Sequence, residues 1–244
     1  MLDFNRTVHK AKAANEHINA AIDLAQSLAM NDEPRDYLGA SALGHDCLRK
    51  IQWDWRRPPS FPARTRRIFQ RGHWWESYAV DLLQQATFKI VRNSDAIAFS
   101  QLGGRFKGHG DGMIIAGPTM EGVAYPCLWE CKGLGSKGWT KLDKDGLAKA
   151  YPGYADQVAL YQAYFGLTEH PAIFTACNMD TMEILHLLIP FDAARAQAVS
   201  DRAVTVISAD EAGETLPRVA ADPSDFRCRF CPHRESCWGG EVAQ

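Results

Sequence analysis

An α/β chain is what the sequence predicts, and three observations carry that prediction. Segments with helical apolar spacing alternate with short apolar runs of strand length. Gly/Pro punctuation such as Gly117-Pro118 separates the runs. Pro152 suits the first turn of a helix ending near Gly166, with strand-like runs before and after it.

Composition bounds the rest. With 244 residues, 46% hydrophobic and 23% charged, the chain suits one globular domain over 1–244 with a core of ordinary size. Within it we expect a helical N-terminal lobe at 1–85, a core at 86–210 and a cysteine-rich tail at 224–238. The net charge of −2 points to no acidic partner, so any basic surface must be local. No apolar run reaches the roughly 18–20 residues of a membrane span, and Met1 to Arg6 lack a signal-peptide apolar core. A cytoplasmic protein without membrane contact is the expectation. Seven cysteines in such a chain argue for metal or catalysis before disulfides.

Residues 4–30 place Val8, Ala11, Ile18, Ile22, Ala25 and Leu28 at helical spacing, predicting one long packing helix ended by Asn31-Asp32-Glu33-Pro34. Ser41 is placed to cap a helix carrying Cys47, Trp53 and Trp55. From Arg49 to Arg71, eight basic residues face one acid, Asp54, with Pro58, Pro59 and Pro62 making the middle a loop. Charge runs are usually solvated faces. Here Trp53, Trp55, Phe61 and Phe69 are interleaved with the charges, which favours contact with a nucleic-acid backbone through Arg49, Lys50, Arg64, Arg66, Arg67 and Arg71. A helix from Arg71 to about Gln85 puts His73 and Glu76 on one face. Strands are expected near 88–92 and 96–99.

The stretch Gly108-His109-Gly110-Asp111-Gly112-Met113-Ile114-Ile115 reads as a strand carrying an aspartate. After the turn, Leu128-Trp129-Glu130-Cys131-Lys132 reads as a second strand. Residues two apart on a strand share a face, so Glu130 and Lys132 point together, and a hairpin-like return brings Asp111 beside them. Two carboxylates at one point form a hard oxygen site suited to Mg²⁺ or Mn²⁺. A neighbouring lysine can orient water or meet a phosphate. Lys137, Lys141, Lys144 and Lys149, with Trp139, form a second basic segment, either a loop over bound DNA or a solvated helix. The helix from Pro152 to about Gly166 puts Gln157 and Tyr161 on one face. Strands near 172–178 and 183–189, a helix near 192–208 and a polar linker to Pro223 complete the core.

The tail holds Cys228, Cys231 and Cys237 at metal-ligand spacing. A fourth thiolate from Cys47 would staple the tail to the N-terminal lobe. Cys127, Cys131 and Cys177 fall on expected strands, where buried thiols are ordinary. Iron–sulfur and zinc both accept four thiolates, and a local zinc site using His233 is the rival arrangement.

The Asp-x18-Glu-x-Lys pattern resembles the catalytic core of the PD-(D/E)XK nucleases. Over residues 41 to 238 the chain is similar to their RecB-like iron–sulfur branch, that is, the AddB nuclease domain and the CRISPR-associated exonucleases. Five features carry the resemblance: Ser41 to Lys50 around Cys47 with the three tail cysteines, Gly72-His73-Trp74-Trp75-Glu76, Gly108 to Asp111, Glu130-Cys131-Lys132, and Gln157 to Tyr161. Glu76, where the CRISPR-associated members have His, looks more like phage recombination exonucleases.

The resemblance implies a restriction-endonuclease-like central mixed sheet flanked by helices. It implies an Mg²⁺- or Mn²⁺-dependent deoxyribonuclease, an exonuclease acting on single-stranded DNA or free ends in phage, CRISPR or recombination processing, with proteins of those systems as partners, in a bacterial or phage-infected cell. Asp111, Glu130 and the carbonyl of Cys131 would hold the metal, with Glu76 or His73 completing the shell. Lys132 would position water, Gln157 and Tyr161 would hold the DNA backbone or support Lys132, and Cys47, Cys228, Cys231 and Cys237 would hold a [4Fe–4S] cluster. A non-catalytic DNA-binding or scaffold protein stapled by zinc or iron–sulfur is the alternative.

Overall fold

Strand β6 (Cys127–Leu134) sits at the centre, buried on both faces over Cys127 to Cys131. Its place in the fold comes from a computed structural model that describes residues 7–28, 34–92 and 95–239. Five strands form the main sheet in the order β2 (Lys89–Val91), β5 (Gly112–Ala116), β6, β7 (Ala172–Asn178) and β8 (Ile184–Ile189). Within this sheet β6 and β7 run parallel and the other neighbours antiparallel. A parallel pair needs a crossover, and helices α4 (Ser136–Asp145), α5 (Leu147–Ala150) and α6 (Pro152–Tyr164) supply it.

The strand period of two divides the core. Cys127, Trp129 and Cys131 meet Trp75, Ala79 and Val80 of α3 (Ala63–Gln85) on one face. Leu128 and Leu134 meet Val158 and Leu160 of α6 on the other, with Val199, Ala203 and Val206 of α7 (Ala193–Glu211) in the same cluster. Glu130 and Lys132 belong by period to this second face.

A second sheet of three strands has the order β1 (Leu38–Gly39), β4 (Phe106–His109), β3 (Ala98–Gln101). The expected single strand from Gly108 to Ile115 is therefore two strands. The chain leaves β4 in the small sheet and enters β5 in the large one, and Asp111 lies in the break. Gly110 makes this step possible: a Cβ there would stand 2.9 Å from the Phe165 ring. A similar close approach joins the 3-10 turn Ala40–Gly44 to the start of α6, since a Cβ on Gly44 would stand 2.8 Å from Cα of Gly153.

Several expected elements differ from those observed. Helix α1 (Thr7–Leu28) does not bury its apolar positions; Ile18, Ile22, Leu24 and Leu28 are exposed. The side it turns to α3 is polar instead: Asp23 and Gln26 meet Arg67. The expected ends of this helix, 4–6 and 29–33, lie outside the described residues. Ser41 caps no helix: it lies in the 3-10 turn, and helix α2 (Leu48–Arg56) takes Cys47 at its N-cap, where the Cys47 N–H donates to His45 Nδ1 at 3.0 Å. Helix α3 begins at Ala63, just after Pro62, and not near Arg71, so Arg64 to Arg71 are helical. The lysine segment 137–149 is helical, in α4 and α5. The tail forms two short helices, α8 (Phe226–Arg229) and α9 (Arg234–Trp238).

Candidate active site

The antiparallel return of β5 onto β6 pairs Gly112 with Trp129 and so sets Asp111 beside Glu130 and Lys132. Asp111 Oδ2 accepts from the Cys131 N–H at 2.8 Å and from Lys132 Nζ at 3.2 Å. Lys132 Nζ also donates to Glu130 Oε1 at 3.0 Å. Gln157, from α6, donates its Nε2 to that same oxygen at 2.8 Å. Four expected residues thus meet, from the β4–β5 break, the end of β6 and α6.

Glu130 is buried, with 1% of its side chain exposed. Burial, and after it the charge of Asp111, push its carboxyl up to about 8, although Lys132 pulls the other way. Lys132 is shifted upward: its burial works against the charged form, but Glu130 and then Asp111 outweigh it. The lysine also lies 5.8 Å from the centre of the Tyr154 ring, which stacks on Tyr151. Among the described residues, Glu130 Oε2 is buried without a hydrogen-bond partner. A buried carboxyl oxygen left so is costly, and a divalent cation shared with Asp111 would both satisfy it and favour its ionised form. The donor set is all oxygen, as Mg²⁺ and Mn²⁺ prefer.

Glu76 stands near but apart. Its carboxyl is shifted upward by burial and then by Asp111, while Oε1 accepts from Arg92 Nη2. Arg92 Nε reaches the backbone carbonyl of Asp111 at 3.2 Å. His73 is 72% exposed, and its Nδ1 lies 3.9 Å from Glu76 Oε2. Among the described residues no three His, Cys, Asp or Glu side chains converge on one point.

Gln157 braces Glu130 directly and makes no hydrogen bond to Lys132 among the described residues. Tyr161 is 2% exposed and stacks on Phe165 at 5.2 Å, so it packs beneath the site. It also lines an adjoining cavity of about 610 Å³ with Arg35, Tyr37, Ser41, Lys107 and His109. Lys107 and Arg35 lie 4.7 and 5.7 Å from the centre of the Tyr37 ring. Sequence reading missed Arg35, Tyr37 and Lys107. The parallel pairing of Gly39 with Lys107 brings the two segments together, and no local pattern announces it.

The basic run is largely spoken for within the chain. Arg49 donates to the Leu216 carbonyl at 2.6 Å and Lys50 pairs with Asp54. Arg56 pairs with Asp210. Arg66 donates to the Phe61 carbonyl at 2.7 Å, and Arg67 meets Asp23 and Gln26. Arg64 is exposed and Arg71 half-buried.

All four expected cluster cysteines line one cavity: Cys47 from the start of α2, and Cys228, Cys231 and Cys237 from the tail. Burial first, with a smaller contribution from Cys47, raises the Cys231 thiol. Arg49 Nη1 lies 3.5 Å from Cys237 Sγ. His233, the rival ligand, turns its Nε2 to Asp54 Oδ1 at 2.7 Å. Trp238 is buried at 3% exposed and anchors the end of the tail. Cys127, Cys131 and Cys177 are buried on strands, as expected.

No family model matches the sequence, and no curated protein matches it. Among solved structures the chain is similar to an alkaline exonuclease from Laribacter hongkongensis, at 14% identity and a TM-score of 0.51, over 73% of this chain and 89% of that one. The same exonuclease in complex with dAMP aligns over the same shares at 16% identity and a TM-score of 0.50. At such identities the likeness establishes the fold alone: a mixed α/β architecture that this chain shares with an alkaline exonuclease.

Proposed function

We propose that this chain is a divalent-metal-dependent deoxyribonuclease of the PD-(D/E)XK type, working on DNA ends as an exonuclease. One observation carries the reading. Asp111, Glu130, Lys132 and Gln157 meet within hydrogen-bond distance, around a buried Glu130 oxygen that has no partner among the described residues. A structural ion pair needs no second carboxylate and no buried unpartnered oxygen. The fold shared with an alkaline exonuclease supports the same reading.

In this reading Asp111 and Glu130 hold Mg²⁺ or Mn²⁺. When bound, such an ion lowers the pKa of a neighbouring water and polarises a phosphoryl oxygen. Gln157 fixes the Glu130 carboxylate in its rotamer, and the Cys131 N–H does the same for Asp111. Lys132 holds its ammonium between both carboxylates, where it can orient the attacking water and face charge developing on the phosphate. The cavity carrying Arg35 and Lys107 adjoins the site and suits a phosphate and base of the strand end, with Tyr37 as a stacking surface.

We further propose that Cys47, Cys228, Cys231 and Cys237 hold a [4Fe–4S] cluster with a structural role, in keeping with the RecB-like branch. What supports it is that four thiols from opposite ends of the chain border one cavity, although among the described residues no three of them converge on one point as placed.

The test is digestion of end-labelled single- and double-stranded DNA by anaerobically purified protein. Cleavage from an end with Mg²⁺ or Mn²⁺, abolished by EDTA, is the expected result. DNA binding without cleavage under every metal condition would move the chain to the non-catalytic class.

A further inference from the structure

Arg92 was not marked by any sequence motif, yet it touches two parts of the site. It follows β2, whose pairing with β5 sets Val91 against Met113 and so brings Arg92 beside the β4–β5 break. Its Nη2 donates to Glu76 Oε1 on α3, and its Nε donates to the Asp111 carbonyl at 3.2 Å. One guanidinium therefore ties the helix bearing the third carboxylate to the turn bearing the first. Both partners of this ion pair are largely withdrawn from water, with side-chain exposures of 25% and 22%.

The charges around the site explain what this tie does. Three carboxylates, Asp111, Glu130 and Glu76, face two cations, Lys132 and Arg92. Lys132 serves Asp111 and Glu130, and Arg92 serves Glu76. As held, Glu76 does not converge with the other two carboxylates. A divalent ion seated at Asp111 and Glu130 offers Glu76 a stronger cation than a guanidinium. The two must then compete for the same carboxylate.

We propose that Arg92 is a positioning residue that acts as a latch, holding Glu76 off the metal shell until an ion displaces it. The latch rests on the metal site proposed above. It makes ion binding cost the breaking of one ion pair, so it sets the affinity of the site. The guanidinium released at that moment lies beside Asp111 with its planar fork free, a geometry suited to a phosphate.

The experiment is calorimetric titration of Mn²⁺ into the full chain without DNA, for wild type, R92Q, E76Q and the R92Q/E76Q double variant. Gln at position 92 can still donate to the Asp111 carbonyl but cannot pair with Glu76. R92Q is expected to bind Mn²⁺ about three- to tenfold more tightly than wild type, the size of an ordinary coupling between neighbours. Adding R92Q to E76Q should give no such gain, because no carboxylate is left to release. A gain that persists in the E76Q background would be plain charge repulsion and would overturn the latch. Unchanged or weaker binding by R92Q would overturn it too, making Arg92 a brace. Heat from none of the proteins would sink the metal-site reading itself, and the latch with it. Should R92Q fail to fold, R92M, which keeps the apolar stem and carries no charge to pair with Glu76, should tighten binding in the same direction, and no gain there would count against the latch equally.

Discussion

Lys132→Ala is expected to lower single-turnover DNA cleavage by about 10²–10³-fold, the usual cost of removing one group that faces transition-state charge. It should also change stability in a metal-dependent way. The ammonium is 3.2 Å from Asp111 and 3.0 Å from Glu130. Removing it leaves two carboxylates facing each other, one of them fully buried. Breaking such a pair from one side costs roughly 3–5 kcal/mol, and the partial exposure of Lys132 puts the expectation at the lower end. Mn²⁺ should return most of that loss, since the ion supplies the missing positive charge. Melting curves with and without Mn²⁺, beside quenched-flow cleavage, check both halves. Wild-type cleavage by this variant would remove Lys132 from the chemistry. For Glu130 the informative variant is Glu130→Gln, because Ala would strand both Gln157 and the lysine in a buried site.

Cys47→Ser is expected to bleach the protein completely and to lower its melting temperature by about 10 °C. Cys47 and the tail cysteines lie at opposite ends of the chain, so a centre joining them closes a very long loop. Closing a loop of that order is worth about 4–5 kcal/mol in the disulfide case. For a chain this size roughly 2–4 °C accompanies each kcal/mol. What remains in the variant is a docked tail held by His233 on Asp54, Arg218 on the Cys237 carbonyl and buried Trp238. Those contacts keep the tail close without making it a covalent staple. The carboxylate site lies elsewhere, so Mn²⁺ binding should persist. Iron and sulfide analysis of anaerobic protein decides the matter: about four irons per chain in wild type and none in the variant is the expected outcome. Stoichiometric zinc without iron would leave only a zinc-bound staple.

The chemistry was more legible in the sequence than its surroundings. Glu130 and Lys132 could be paired because the strand period of two is local, and Asp111 could be added because a hairpin return is local too. Gln157 followed from its place on a Pro-initiated helix. What stayed hidden depended on distant partners. Asp111 lies between strands of different sheets, a step that only Gly110 against Phe165 permits. Arg92 meets Glu76 across 16 positions, and Arg67 meets Asp23 across 44. The basic run from Arg49 to Arg71 therefore looked freer than it is, since the acids that absorb it, Asp23 and Asp210, lie outside the run. The burial of Glu130 was hidden for the same reason: α6, not the strand, covers it. Helix α1 shows the opposite error: its helical spacing predicts packing, but its apolar positions stay exposed and it meets α3 through Asp23 and Gln26.

The central claim is that Asp111 and Glu130 hold a divalent cation whose chemistry Lys132 completes. Anomalous diffraction from a crystal soaked in Mn²⁺ tests it most directly, with data collected near the manganese edge. We expect a manganese peak coordinated by Asp111 and Glu130 oxygens, including the now unpartnered Glu130 Oε2, and its loss in a Glu130→Gln crystal. Manganese absent from these two carboxylates, with Lys132 still bridging them, would make the constellation an ordinary ion pair and contradict the account.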